Sequence, residues 1–254
     1  MNTARFESKV VLVTGATSGI GEATSRRLAA EGAAVVLGAR SKDVGEQLAA
    51  DIRATGGRAL FVPTDVTVES EVEALVRAAV DEFGRLDGAF NNAGAINAFG
   101  AVQDIVADGW QADIALNLSS VYFGLKHQVP AILASGGGAI LNNASNLGLV
   151  GMGSVSPYVA AKHGVVGLTK AVALENAARG IRVNAISPAA VDTPAFRSSM
   201  GATPEGEAQI AALHPVGRIS QPEEIAAFAA FLLSDEASFI TGASLSIDGG
   251  FTTQ

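Results

Sequence analysis

The stretch Lys9-Val-Val-Leu-Val-Thr-Gly-Ala-Thr-Ser-Gly-Ile-Gly21 runs from an unbroken apolar segment straight into a turn of small residues. A continuous apolar run, rather than an alternating one, is what a strand covered on both faces requires, and such strands belong to parallel sheets. Gly21–Glu31 then reads as a helix, so the stretch is a strand, a tight turn and a helix start. Small residues at such a turn let the backbone approach a pyrophosphate, whose charge is favoured at a helix N-terminus. Taken alone, the turn equally suits a tight connection that holds no ligand. Its spacing is G-x-x-x-G-x-G, so the generic G-x-G-x-x-G dinucleotide fingerprint is not met.

The same strand-then-helix unit recurs along the chain. Apolar runs at Ala33–Ala39, Arg58–Pro63, Leu86–Asn91, Ala139–Asn143, Ile181–Ile186 and Ser244–Ile247 alternate with helical stretches such as Val68–Phe83 and Pro157–Arg179. This alternation predicts an α/β chain: a single-domain, Rossmann-like, doubly wound parallel sheet of about seven strands flanked by helices. No linker, charge block or low-complexity segment divides residues 1–254. Ligands in such folds bind at the carboxyl ends of the strands. The polar and glycine residues fall at that edge: Gly15, Arg40, Asp65, Asn91-Asn92, Ser145 and Pro188 follow successive runs.

Composition narrows the function classes. The formal net charge of −8 argues against nucleic acid or an acidic membrane surface as the main partner. Cysteine is absent, which removes disulfides and thiolate catalysis, and the three histidines form no zinc pattern, so no metal is expected. No apolar run reaches membrane-span length, and the N-terminus lacks the n- and h-regions of a signal peptide, so a cytoplasmic protein is expected. Charged residues make up only 17%, which suggests surface buried between subunits. No G-x-S-x-G elbow supports a Ser-His-Asp hydrolase.

T-G-x-x-x-G-x-G at Thr14–Gly21, N-N-A-G at Asn91–Gly94, and Tyr158-x-x-x-Lys162 preceded by Ser145 resemble the short-chain dehydrogenase/reductase family. The likeness extends through Asp65-Val66, Asn117 and the closing Ile240–Gly250 to nearly the whole chain. It implies a nicotinamide-dependent oxidoreductase interconverting a secondary alcohol and a ketone. Hydride transfer leaves a proton to be placed, so the protein must supply an acid/base at the substrate oxygen. Tyrosine, with a pKa of about 10, is a poor base unless a positive charge lies nearby. A unit charge about 4 Å away contributes roughly 4 kcal/mol at an effective dielectric of 20, enough to lower the tyrosine pKa by up to about three units. Lys162 stands one helical turn after Tyr158, on the same face. Without its surroundings this spacing would equally suit an ordinary surface pair.

The family resemblance implies that Ser145 holds the reacting oxygen and that Asn117 holds a water relaying protons from Lys162. By composition alone, Ser145 also suits a helix cap and Asn117 a kinked helix. Lys162 takes a second task in the resemblance, holding the nicotinamide ribose beside Tyr158. Gly15, Thr17, Ser18, Gly19, Ile20 and Gly21 then surround the pyrophosphate. Asp65 and Val66 flank the adenine, and Asn92, Ala93 and Gly94 line its ribose and the sheet edge. Pro188, Val191 and Thr193 meet the nicotinamide. Alanine at 189, where the family often has glycine, predicts strain if that backbone needs a positive φ.

Family members that prefer NAD usually carry an acidic residue at the end of strand two. Ala39-Arg40 stands there, and arginine binds a 2′-phosphate bidentately where a carboxylate would repel it. NADP(H) is therefore expected over NAD(H), although Arg40 also suits stacking on the adenine. The segment near residues 189–216 is expected to cover a mostly apolar substrate site with Ile96, Leu147, Met152, Ala189, Phe196 and Met200. A 3-oxoacyl-[acyl-carrier-protein] reductase and a sugar dehydrogenase share the chemistry, while a catalytically silent dinucleotide sensor does not need it. Enoyl reduction is disfavoured because those relatives separate the tyrosine and lysine by more residues. The apolar helix from Pro157 and the strand Ser244–Ile247 suggest isologous contacts and a homotetramer.

Overall fold

A computed structural model describes residues 4–253. Strands β1 (Val10–Thr14), β2 (Ala34–Ala39), β3 (Arg58–Pro63), β4 (Gly88–Asn91), β5 (Gly138–Asn143), β6 (Ile181–Pro188) and β7 (Ser244–Ile247) form one sheet in the order β3-β2-β1-β4-β5-β6-β7. Every pairing is parallel. β1 and β2 are buried at every position, as their unbroken apolar runs require. Side chains alternate between two cores. Val11, Val13, Val35 and Leu37 face one, and Val10, Leu12, Ala34 and Val36 face the other.

The helices are α1 (Gly19–Ala30), α2 (Lys42–Ala54), α3 (Glu69–Phe83), α4 (Ala107–Ile114), α5 (Ser120–Ala134), α6 (Ser156–Asn176), α7 (Pro194–Arg197), α8 (Pro204–Ala211) and α9 (Pro222–Leu233). Their ends follow local chemistry. α3 opens with Glu69 and Glu71 against the positive end of its dipole and stops at Gly84, left-handed at φ 77°. α9 starts at Pro222 behind a Gln221–Glu224 capping box. No helix among the described residues is long and apolar enough to cross a membrane.

Boundaries depart from the sequence reading in informative ways. β4 begins at Gly88 rather than Leu86, because Asp87 turns its carboxylate to accept the Val10 N–H at 2.9 Å. β6 runs on to Pro188, pairing Ser187 and Pro188 with Ser246 and Ile247. Within one chain only one side of α6 is covered. Ala161, Val165, Val166 and Ala173 are buried, whereas Leu174 is 85% exposed. The segment 189–216, poorly patterned in sequence, folds as α7 and α8, each capped by a threonine hydroxyl and entered through a proline.

Candidate active site

The strand order reverses direction between β1 and β4, and a cleft of about 680 Å³ opens at the carboxyl ends of the strands there. Gly15, Thr17, Ser18, Gly19 and Ile20 line it from the first turn. Arg40, Asp65 and Val66 follow from β2 and β3, and Asn92, Ala93 and Gly94 from β4. Ser145, Tyr158 and Lys162 form its middle, with Pro188, Val191 and Thr193 beyond β6.

The glycine turn has the shape of a cradle for a phosphate group. Ser18 precedes α1 in extended conformation and makes no side-chain bond to the first-turn N–H groups, which leaves them to an anion. Gly15 and Gly19 hold positive φ of 62° and 51°, and a side-chain carbon at 19 would stand 2.7 Å from Thr193 Cγ2. Gly21 does not line the cleft but lets α1 close on the turn, since a Cβ there would stand 2.1 Å from the Gly15 carbonyl oxygen. Thr14 Oγ1 accepts the N–H of Asn92 at 3.0 Å and of Ala93 at 3.2 Å, tying the two loops together. Asn143 donates to Asn92 Oδ1 at 3.0 Å, and its own buried Oδ1 has no hydrogen-bond partner among the described residues. These features fit a dinucleotide.

Arg40 is exposed at the mouth and makes no hydrogen bond or ion pair with a described residue, so its guanidinium can meet a phosphate, although its charge is felt by the nearby Asp65 carboxylate. Asp65, at the same end, has its carboxyl held below the usual range by hydrogen bonds from the Thr67 side chain and backbone. Ala189 is not among the non-glycine residues of positive φ, so the alanine that replaces glycine there carries no such strain.

Tyr158 and Lys162 lie on the first two turns of α6, whose N-terminus Pro157 pre-sets. The Lys162 ammonium stands 5.4 Å from the centre of the Tyr158 ring and donates to the Asn143 carbonyl oxygen at 2.7 Å. The expected lowering of the tyrosine pKa by lysine is not what this geometry gives. Burial dominates both groups: it pushes the Tyr158 phenol up to about 12, against a hydrogen-bonding pull from Ser145, with Asp113 adding a smaller upward push. The same desolvation pushes Lys162 down to about 8. Burial rather than the lysine's charge thus sets the direction of both groups, the phenol upward and the lysine downward.

Asn117 is fully buried behind the cleft rather than in its wall. It sits in a π-helical turn, Ala115–Ser119, between α4 and α5. Such bulges re-aim a side chain by slipping the helical bond pattern. Its Oδ1 and the Lys162 ammonium both face the bare Cα of Gly94, where a Cβ would stand 2.9 Å from the first and 3.3 Å from the second.

Of the expected substrate residues, Ile96, Ala189, Phe196 and Met200 line the cleft. Leu147 and Met152 do not: Leu147 is packed at 5% exposure, and Met152 lies on the surface at 38%. Phe99, Leu116, Ser198 and Ser199 line it without having been singled out, and Asn143 supplies the lysine's acceptor. The acceptor is a backbone carbonyl, which any residue type would supply, so the sequence carried no signal for it.

A family profile described as "Enoyl-(Acyl carrier protein) reductase" matches residues 15–252. The chain is 44% identical over 250 residues to cyclohexanol dehydrogenase of Acinetobacter sp. (strain SE19), covering 98% of this chain and 97% of the relative. It is 45% identical over 250 residues to cis-4-hydroxycyclohexanecarboxylate dehydrogenase of Sinomonas cyclohexanicum, covering 97% and 98%. This chain belongs to the short-chain dehydrogenase/reductase family. The crystal structure of levodione reductase superposes with a TM-score of 0.94 at 40% identity, covering 98% of this chain and 99% of the other. As a family member, the protein is an NAD(P)-dependent alcohol dehydrogenase/ketoreductase.

Proposed function

We propose that this short-chain dehydrogenase/reductase interconverts an uncharged ring ketone and its secondary alcohol, with NADP(H) preferred over NAD(H). The observation that carries the substrate class is the charge distribution in the cleft. Among the described residues lining it, the only formally charged ones are Arg40 and Asp65 at one end and Lys162 in the middle. The other end, built by Ile96, Phe99, Leu116, Ala189, Phe196 and Met200, offers only Ser198 and Ser199 as further polar groups. A carboxylate or an acyl carrier's phosphate would be desolvated there with no cation to meet it. Two relatives named for uncharged six-membered-ring substrates agree with a compact alicyclic substrate, whereas a third is named for a carboxylated ring. The four-residue tyrosine–lysine spacing favours ketone over enoyl reduction.

The cofactor, when bound along Gly15–Gly21, Arg40, Asp65-Val66, Asn92–Gly94 and the Pro188–Thr193 segment, supplies or accepts the hydride. Tyr158 gives its proton to the carbonyl oxygen in reduction and takes it back in oxidation. Ser145 holds that oxygen by its hydroxyl. Lys162 recharges the phenol, and Asn117 carries the proton path onward. α7 and the Ser198–Met200 turn that follows it cover the substrate, excluding water from the reacting atoms.

Initial rates with NADPH and NADH over neutral and carboxylated cyclic ketones test this reading. Neutral rings and NADPH should give the higher kcat/KM, and Arg40→Ala should narrow the NADPH advantage by roughly tenfold, the value of a charge-assisted phosphate contact. Equal use of both cofactors by the wild type, or preference for the carboxylated ring, contradicts it.

The lysine's position sets the pH dependence. Below about 8, Lys162 carries the proton that recharges Tyr158. Ketone reduction should therefore decline as pH rises through that value, while alcohol oxidation, which needs a neutral acceptor, should rise through it. Paired initial-rate profiles check the sign; a reduction rate that is flat into strongly alkaline solution would rule the relay out.

A further inference from the structure

One buried carboxylate behind the cleft has no part in the proton path described above. Asp113, the penultimate residue of α4, is fully buried. Its Oδ1 accepts from the Asn97 backbone N–H at 3.1 Å, from Asn97 Nδ2 at 3.2 Å and from Asn117 Nδ2 at 3.1 Å. Its Oδ2 accepts from the Ala98 N–H at 3.0 Å. All four partners are N–H donors, the set an ionised carboxylate satisfies. An apolar side chain would fill this inward position without the desolvation that a carboxylate incurs, so the residue marks a task beyond packing.

That task is visible in what the carboxylate fixes. An amide has one donating and one accepting end, and an acceptor-only neighbour dictates which way round it lies. Asn117 turns its NH2 toward Asp113 Oδ1, the Asp113 carbonyl at 3.0 Å and the Ala95 carbonyl at 2.8 Å. Its Oδ1 is thereby left to accept from the Ala95 N–H at 3.2 Å and to face the space it shares with Lys162 over Gly94. The same carboxylate pins the Asn97–Ala98 backbone, which lies between Ile96 and Phe99, two walls of the neutral end of the cleft.

We propose that Asp113 is a positioning residue for the reaction, locking the Asn117 amide with its oxygen toward Lys162 and holding the loop that carries Ile96 and Phe99 against the substrate. This rests on the proton path assigned to Asn117 under the proposed function. Asp113→Asn keeps the shape and removes the acceptor-only character. It should lower kcat roughly tenfold or more and raise the ketone KM, while the Kd for NADPH, read by fluorescence, stays within about twofold. In the double variant Asp113→Asn/Asn117→Ala, kcat should be no lower than in Asn117→Ala alone, because the first residue acts through the second. An Asp113→Asn enzyme with unchanged kcat and KM, or a double variant whose losses multiply, overturns the proposal. If Asp113→Asn does not fold, Asn97→Ala removes one donor while leaving the carboxylate in place; the ketone KM should rise, and an unchanged KM overturns the proposal. A Tyr158→Phe control separates the two readings. Turnover surviving in that control refutes the proposed function, whereas a dead control beside multiplying losses refutes only the role of Asp113.

Discussion

Tyr158→Phe is expected to cut kcat/KM for ketone reduction by roughly 10²- to 10⁴-fold, the range of a positioned acid/base, while the Kd for NADPH moves by no more than about threefold. The substitution deletes one oxygen and keeps the ring, so the packing of α6 and the Lys162 ammonium 5.4 Å from the ring centre are preserved. What is lost is the phenol whose proton, held by a pKa near 12, is available at neutral pH for the carbonyl oxygen. Ser145 cannot replace it, because an aliphatic hydroxyl can hold the reacting oxygen by a hydrogen bond but is a far weaker acid than a phenol. Steady-state kinetics with a binding titration on the same preparation measure both quantities. Retained turnover would show that the proton comes from elsewhere, and a parallel loss of NADPH binding would show that the tyrosine's role is structural.

Gly21→Ala should be the most damaging single methyl in the cofactor cradle. The position has ordinary helical backbone, so the effect is one of space rather than conformational freedom. The added carbon would stand 2.1 Å from the Gly15 carbonyl oxygen and 2.7 Å from Asn92 Nδ2, and neither neighbour is a flexible chain end. Asn92 is committed to the Thr14 carbonyl at 3.0 Å, and Gly15 belongs to the turn itself. Relief therefore requires α1 to back away from the turn, moving the N–H groups that face the cleft. A cost of about 1–3 kcal/mol in stability is expected from such overpacking, with an increase of at least about tenfold in Kd for NADPH and NADH alike. Thermal unfolding and titration with both cofactors check this; unchanged affinity would show that the turn does not hold the shared pyrophosphate. Arg40→Ala makes the contrast, since its effect should fall on NADPH alone.

The fold was legible because the strands are covered on both faces. Unbroken apolar runs such as Val10–Thr14 and Ala34–Ala39 announce buried strands, and the small or polar residues that end them mark the cleft edge. The cofactor side of the site was legible for the same reason: a backbone cradle is written as glycines. What the sequence could not convey was direction and dielectric. The Tyr158–Lys162 spacing suggested a lysine-depressed phenol, but spacing carries no desolvation, and burial reverses the sign. Leu147 and Met152 lie in or beside an irregular turn, where no period says which way a side chain points. The π-turn at Asn117 left no trace in an apolar stretch that reads as ordinary helix. Asp113 did leave one: two polar residues a helical turn apart inside Asp113-Ile-Ala-Leu-Asn117 are costly to bury unless they serve each other.

The most direct test of the central claim follows a label. The purified protein is incubated with NADPH deuterated at nicotinamide C4, on either face, and a neutral cyclic ketone, and the alcohol is examined by mass spectrometry and NMR. The account predicts deuterium at the carbinol carbon from one of the two faces only, with the hydroxyl proton drawn from solvent and the product nearly absent with Tyr158→Phe. Alcohol formed without label from either face, or formed equally well by that variant, would contradict it.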